Sequence, residues 1–131
     1  MTGIDHLIQA LIRFRDERNW KQFHTLKNLI VSLNLEASEL LELAQWKTDE
    51  ALESSLKSDE TFRVNLKDEC ADVFLYLLQI ADHAGIDLLK AAEEKMRKNA
   101  VRYPANISYG SARKYSEFDA ADHPGSAETG K

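Results

Sequence analysis

Apolar residues recur along residues 4–103 at spacings of three, four and seven, the signature of helices buried on one side. Ile4, Leu7, Ile8, Leu11 and Ile12 make a first stripe, which opens after Thr2 or Gly3 and gives way to a loop at Arg18-Asn19-Trp20. Leu26, Leu29, Leu33, Leu40 and Leu43 predict a second helix over about 25–46. The polar stretch 47–58 carries a short helix around 50–56. A third long helix begins near Ser58 or Asp59, with Phe62, Leu66, Val73, Tyr76 (or Leu77) and Ile80 on its stripe and Gly85 placed to end it. Asp87 caps a fourth helix, 88–102, which Pro104 closes. No segment alternates with period two, and no repeat of solenoid length is present. The pattern predicts an all-α fold, an antiparallel four-helix bundle with short connections.

Composition adds boundaries. The 131 residues suffice for one domain, and 44% hydrophobic content can build its core. Both prolines and three of the five glycines lie after residue 103, so the helical region 4–103 has few breakers. Residues 116–131 hold four acids, one lysine and one aromatic, too little apolar surface to offset ordering; they are expected to be a flexible tail behind a domain at 1–115. A net charge of −5 argues against nucleic acid held by charge alone. The single cysteine, Cys70, excludes an internal disulfide and a CxxC zinc site, and its place in a helix suggests a small, inert core residue. Neither a secretory leader nor a membrane span is legible, which makes a cytoplasmic protein the expectation.

The chemistry lies where acids interrupt apolar stripes. Following Leu29 and Leu33 along the second helix leads to Glu36 before Leu40; following Leu66 along the third leads to Glu69 before Val73. Each has an acidic partner three residues on, Glu39 and Asp72, hence on the same helix face. Four carboxylates at the edges of buried faces are prohibitive unless something neutralises them. A hard divalent cation does so: Mg²⁺, with Mn²⁺ as a substitute, takes oxygen ligands and leaves places for water and phosphate. An ExxE pair on a solvated face is the plain alternative, which two pairs within two stripes disfavour. A di-iron bundle calls for ExxH pairs, and the four histidines make none.

On the fourth helix Lys95, Asn99 and Arg102 share a face, a cation–amide–cation row suited to phosphate oxygens and a polar edge, or simply to the negative end of the helix dipole. Trp20, Phe23, His24, Trp46 and Tyr76 offer flat surfaces for a base, or core packing. Neither a covalent nucleophile arrangement nor a GxxxxGK[ST] loop is present, so phosphate chemistry must rest on metal and side chains.

The run Trp20-Lys21-Gln22-Phe23-His24, then Asn28-Leu29, Glu36-Ala37-Ser38-Glu39, Gln45-Trp46-Lys47, Glu69-Cys70-Ala71-Asp72, Lys95 to Asn99 and Arg102-Tyr103-Pro104, in this order and spacing, resembles the MazG-like nucleotide pyrophosphohydrolases. Within them the dCTP pyrophosphatase branch is nearest, with a stretch similar to Gly110-Ser111-Ala112-Arg113-Lys114-Tyr115. The resemblance implies an all-α, Mg²⁺-dependent enzyme that splits a nucleoside triphosphate into monophosphate and pyrophosphate, as control of the nucleotide pool. It implies Glu36, Glu39, Glu69 and Asp72 as metal ligands. It also implies substrate contacts at Trp20, Lys21, Gln22, Phe23, His24, Trp46, Tyr76, Lys95, Asn99 and Tyr103, and a homodimer or homotetramer whose pockets borrow residues from a neighbour. Glu39 is read as the group that orients the attacking water, and Lys95 or Arg102 as stabilising the leaving phosphate. Relatives often carry Pro-Arg in place of Leu26-Lys27 and a histidine in place of Leu11, changes that bear on base preference and leave the metal site intact. Alternatives are a dUTPase-like or phosphoribosyl-ATP-like pyrophosphohydrolase and a non-catalytic helical interaction module; intact acidic pairs disfavour the last.

Overall fold

Short polar side chains start the helices close to where the sequence puts them. In the computed structural model, which describes residues 1–118, α1 (Gly3–Glu17) opens on a capping box. Thr2 Oγ1 accepts from the Asp5 N–H at 3.2 Å, and the Asp5 carboxylate accepts from the Thr2 N–H at 2.7 Å. α2 (Leu26–Glu42), α3 (Asp49–Ser58) and α4 (Glu60–Ala84) start behind Thr25, Thr48 and Asp59. Each cap accepts at 3.1 Å from a backbone N–H three residues on. Such a bond is worth about 1 kcal/mol to its helix. Gly85 ends α4 with φ of 65°, a left-handed conformation that favours glycine. α5 (Leu88–Arg102) and a single turn, α6 (Ala105–Ser108), follow. Among the described residues there is no strand, as an all-α fold requires, and no helix is long and apolar enough to cross a membrane.

The second helix ends at Glu42, short of the expected 46. No breaker marks that point in the sequence. The chain leaves the helix because Thr48, with Asp49 and Glu50 behind it, starts α3 in a new direction; turns closed by Ala44 and Gln45 on the Leu41 carbonyl and by Lys47 on that of Ala44 bridge the gap.

The described residues fall in two compact units, Met1–Asp87 and the part from Leu88 onward. In the first, α4 is the shared partner: α2 runs along it, and α1 and α3 pack on it as well. Leu29, Phe62, Leu78 and Ala81 are the buried core of this unit. The apolar stripe of α1 is half-buried along its length, and on α4 Tyr76, not Leu77, takes the inward place. In the second unit Tyr103 meets Tyr115 and Phe118 edge-on, both at 6.2 Å. Of the expected tail, Ser116 and Glu117 belong to a 3-10 turn (Tyr115–Glu117) and Phe118 is buried; the remainder, 119–131, lies outside the described residues.

Candidate active site

Because α2 and α4 are packed along one another, Glu36 of the first meets Glu69 and Asp72 of the second. One carboxylate oxygen from each of the three lies within 4.8 Å of the others. Glu39, one turn beyond Glu36 and exposed, is hydrogen-bonded through its side chain to both Glu36 and Glu69. Two carboxyls share a hydrogen bond only if one keeps its proton. Loss of water first, then a bond that its protonated form donates to Glu39 and the charges of Glu39, Asp72 and Glu69, push Glu36 up to about 6. Glu69 is raised too, by loss of water, a bond that its protonated form donates to Glu39 and the charges of Glu39, Asp72 and Asp68.

The Oε2 atoms of Glu36 and Glu69 are buried with no hydrogen-bond partner among the described residues. Orphaned acceptors of this kind cost about 1–3 kcal/mol each, more when charged. An all-oxygen, all-anionic donor set with two unmatched oxygens fits a hard divalent cation such as Mg²⁺ or Mn²⁺. The solvated-face alternative for the acidic pairs does not describe these two glutamates.

Beside the carboxylates lies a cavity of about 230 Å³ between α1, the link to α2, and α4. Trp20, His24 and Tyr76 line it together with Arg15, Gln79 and Asp72, so Asp72 belongs to both the acidic cluster and the cavity. The link is tightly held. Arg18 Nη1 donates to the Phe14 carbonyl at 2.9 Å and its guanidinium lies 3.6 Å over the Phe14 ring, which meets Trp20 edge-on at 5.8 Å. Asn19 takes the left-handed conformation, φ 53°, that turns the chain into the 3-10 segment Lys21–Phe23. Asn28 Nδ2 then ties down the Phe23 carbonyl at 2.9 Å. Burial first, and the nearby Arg15 charge second, hold His24 below its ordinary value, so it is neutral at pH 7.

Not every expected contact gathers here. Lys21, Gln22 and Phe23 are exposed and do not line the cavity; Gln22 donates to the Asn19 carbonyl at 3.0 Å. Trp46, 89% exposed, stands on the turn after α2 and is not part of it. Lys95, Asn99, Arg102 and Tyr103 belong to the second unit. There Lys95 is exposed, Asn99 half-buried, and the Arg102 guanidinium lies 5.0 Å over the Tyr115 ring. Cys70 is exposed rather than in the core: it follows Glu69 round the helix to the outer side.

Two polar cavity residues lie outside the sequence reading, Arg15 and Gln79, as do the apolar Phe14 and Leu75. Arg15 stands four residues after Leu11 on the first stripe, and Gln79 three after Tyr76 on α4. A polar residue on an apolar stripe is the same signal that singled out Glu36 and Glu69.

The fold has counterparts. A pyrophosphatase from Archaeoglobus fulgidus, known from its crystal structure, superposes with a TM-score of 0.73 at 37% identity, over 79% of this chain and 94% of that one. In sequence, the chain is 42% identical to dCTP pyrophosphatase 1 of Rattus norvegicus over 106 residues and to that of Homo sapiens over 105. These alignments take in 80% of this chain, which spans about 61% of the length of those relatives. The MazG-like family profile matches residues 31–118, from the middle of α2 through both acidic pairs to Phe118. With two thirds of its length matched in this way, the chain belongs to the MazG-like family.

Proposed function

We propose that this protein hydrolyses deoxynucleoside triphosphates, dCTP-like ones among them, to the monophosphate and pyrophosphate, and so clears unwanted nucleotides from the cytoplasmic pool. The observation that carries the reading is the continuity of the carboxylate cluster with the aromatic cavity through Asp72. One end can hold a metal-bound triphosphate while the other takes a flat ring. The similarity to dCTP pyrophosphatase 1 and to the archaeal pyrophosphatase supports the same reaction.

Glu36, Glu69 and Asp72, with Glu39 beside them, would hold Mg²⁺ (or Mn²⁺ in its place), which when bound would neutralise charge growing on the phosphate oxygens. Glu39, exposed and already hydrogen-bonded to both neighbouring glutamates, orients a water for attack and takes its proton. The water oxygen bonds to the α or the β phosphorus as the P–O bond between that atom and the oxygen bridging the two breaks, and either route yields the monophosphate and pyrophosphate. Trp20 and Tyr76 flank the base, and neutral His24 offers one donor and one acceptor. The row of Lys95, Asn99 and Arg102, with Tyr103, is suited to phosphate charge and a polar edge, as the resemblance implies. The exposed members of the expected set, Lys21, Gln22, Phe23 and Trp46, act from outside the cavity, where a neighbouring copy in a homo-oligomer reaches them.

Pyrophosphate release from a panel of dCTP, dATP, dTTP, dUTP and 5-modified dNTPs, with and without Mg²⁺, tests this. Metal-dependent release with dCTP among the best substrates is expected; no release from any of them sinks the proposal.

A further inference from the structure

α4 works as a ruler across the candidate site. Asp72 stands at the carboxylate cluster, Tyr76 about one turn on, and Gln79 about two turns on, roughly 10 Å along the axis at 1.5 Å per residue. That is the order of reach from the metal-bound phosphates of a nucleotide to the far edge of its base. Gln79 is half-buried and lines both the aromatic cavity and the smaller pocket behind it, which reaches Asp82 and His83.

The Gln79 amide has a defined sense. Its Nε2 donates to the Leu75 carbonyl, one turn back, at 3.4 Å. A carbonyl only accepts, so the NH₂ must face it, which leaves the amide oxygen as the acceptor on the other side. Arg15, the other new polar residue of the cavity, has its Nε committed to Asp16 at 2.8 Å and keeps further N–H donors. Those donors suit the O2 carbonyl that cytosine, thymine and uracil all carry. A donor at that place would serve all three pyrimidines alike. The choice falls where the bases differ, at the exocyclic group of C4: an amine on cytosine, a carbonyl oxygen on thymine and uracil.

We propose that Gln79 is a specificity-determining residue, its amide oxygen accepting from the exocyclic amine of the base and so favouring amino-bases over their oxo counterparts. This rests on the reading that the cavity of Trp20, His24 and Tyr76 takes the base. A carbonyl oxygen at that position sets two acceptors against each other, and the mismatch leaves a polar group unsatisfied in a confined site.

The test uses calorimetric binding of the two product-like monophosphates, dCMP and dUMP, which carry the same phosphate charge, alongside pyrophosphate release from dCTP and dUTP. The wild-type protein should bind dCMP about tenfold more tightly than dUMP. Gln79→Met, of similar length and unable to accept, should bring the two within about twofold. Gln79→Glu keeps an acceptor and should keep the preference, which separates hydrogen bonding from loss of packing. Equal binding by the wild type, or a preference that survives in Gln79→Met, overturns the assignment even if pyrophosphate is released. A Gln79-dependent preference without pyrophosphate release upholds it and overturns the proposed reaction instead. Binding of neither monophosphate overturns the assignment, and the proposed reaction falls with it only if no pyrophosphate is released.

Discussion

Replacing Glu36 by Gln should make the metal-free protein more stable at neutral pH while removing its response to metal. The carboxyl of Glu36 is raised from 4.5 to about 6, mainly by loss of water and then by Glu39 and the other acids. An acid raised on folding contributes no penalty below its unfolded value, where both states hold the proton. As pH climbs from about 4.5 through 6, the unfolded chain gives up its proton first and the folded chain loses stability relative to it. Above about 6 the penalty is complete. The full shift corresponds to about 2 kcal/mol at 1.36 kcal/mol per pH unit, and allowance for the water that still screens a half-exposed group leaves about 1 kcal/mol. For a chain of this size that is about 3–6 °C in Tm. The assay is thermal unfolding in EDTA at a series of pH values, followed by titration with MgCl₂. Glu36→Gln should melt above wild type near neutral pH, match it below about pH 4.5, and gain little from Mg²⁺, whereas wild type gains several degrees. A variant that melts below wild type in EDTA at neutral pH refutes the reasoning, because the ionised group would then be stabilising the fold.

Four further outcomes follow from the site and its packing. Changing Glu39, Glu69 or Asp72 to the corresponding amide should lower turnover by orders of magnitude with far-UV circular dichroism unchanged; activity that survives EDTA would contradict the metal assignment. Trp20→Ala should raise KM for dCTP about fivefold to a hundredfold through lost stacking, and an unchanged KM would remove the indole from the base pocket. Leu78→Ala, at a position with 0% exposure, should cost about 2–5 kcal/mol in denaturant unfolding; a loss under 1 kcal/mol would mean that the core closes over the gap. Light scattering at micromolar concentration should give the mass of a homodimer or homotetramer, since Val31, Leu35, Leu41 and Phe74 are exposed apolar residues on the two longest helices of the first unit; a monomeric mass would refute this.

Much of this was legible in the sequence because each signal was local. Thr2, Thr25 and Asp59 are caps whose acceptor needs only a helix behind it, and Gly85 is a stop that needs only its own freedom of φ. Glu36 and Glu69 stood out because a charge on a buried stripe demands a partner. What remained hidden depended on tertiary neighbours. Leu78 and Ala81 lie off the single stripe read for α4, yet they are among its most buried residues, because α4 is covered on more than one side and its run from Phe74 to Ala81 is apolar nearly all round. Trp46 is read with the other aromatics and through the Gln45-Trp46-Lys47 motif, and the early end of α2 leaves it on an exposed turn. Glu39 was read as an equal member of the acidic set; its exposure and its bonds to Glu36 and Glu69 set it apart as the carboxyl facing water.

The link between α1 and α2 divides the site into parts of unequal permanence. The carboxylates grow from the middles of long helices, where a shift of one residue would rotate each acid by about 100° and destroy the cluster. Trp20 and His24 hang instead on a short segment anchored by Asn19 and Asn28, whose sequence can be rewritten without re-registering any helix. The aromatic wall of the cavity can therefore drift, or be engineered by exchanging those few residues, beside a carboxylate cluster that stays fixed.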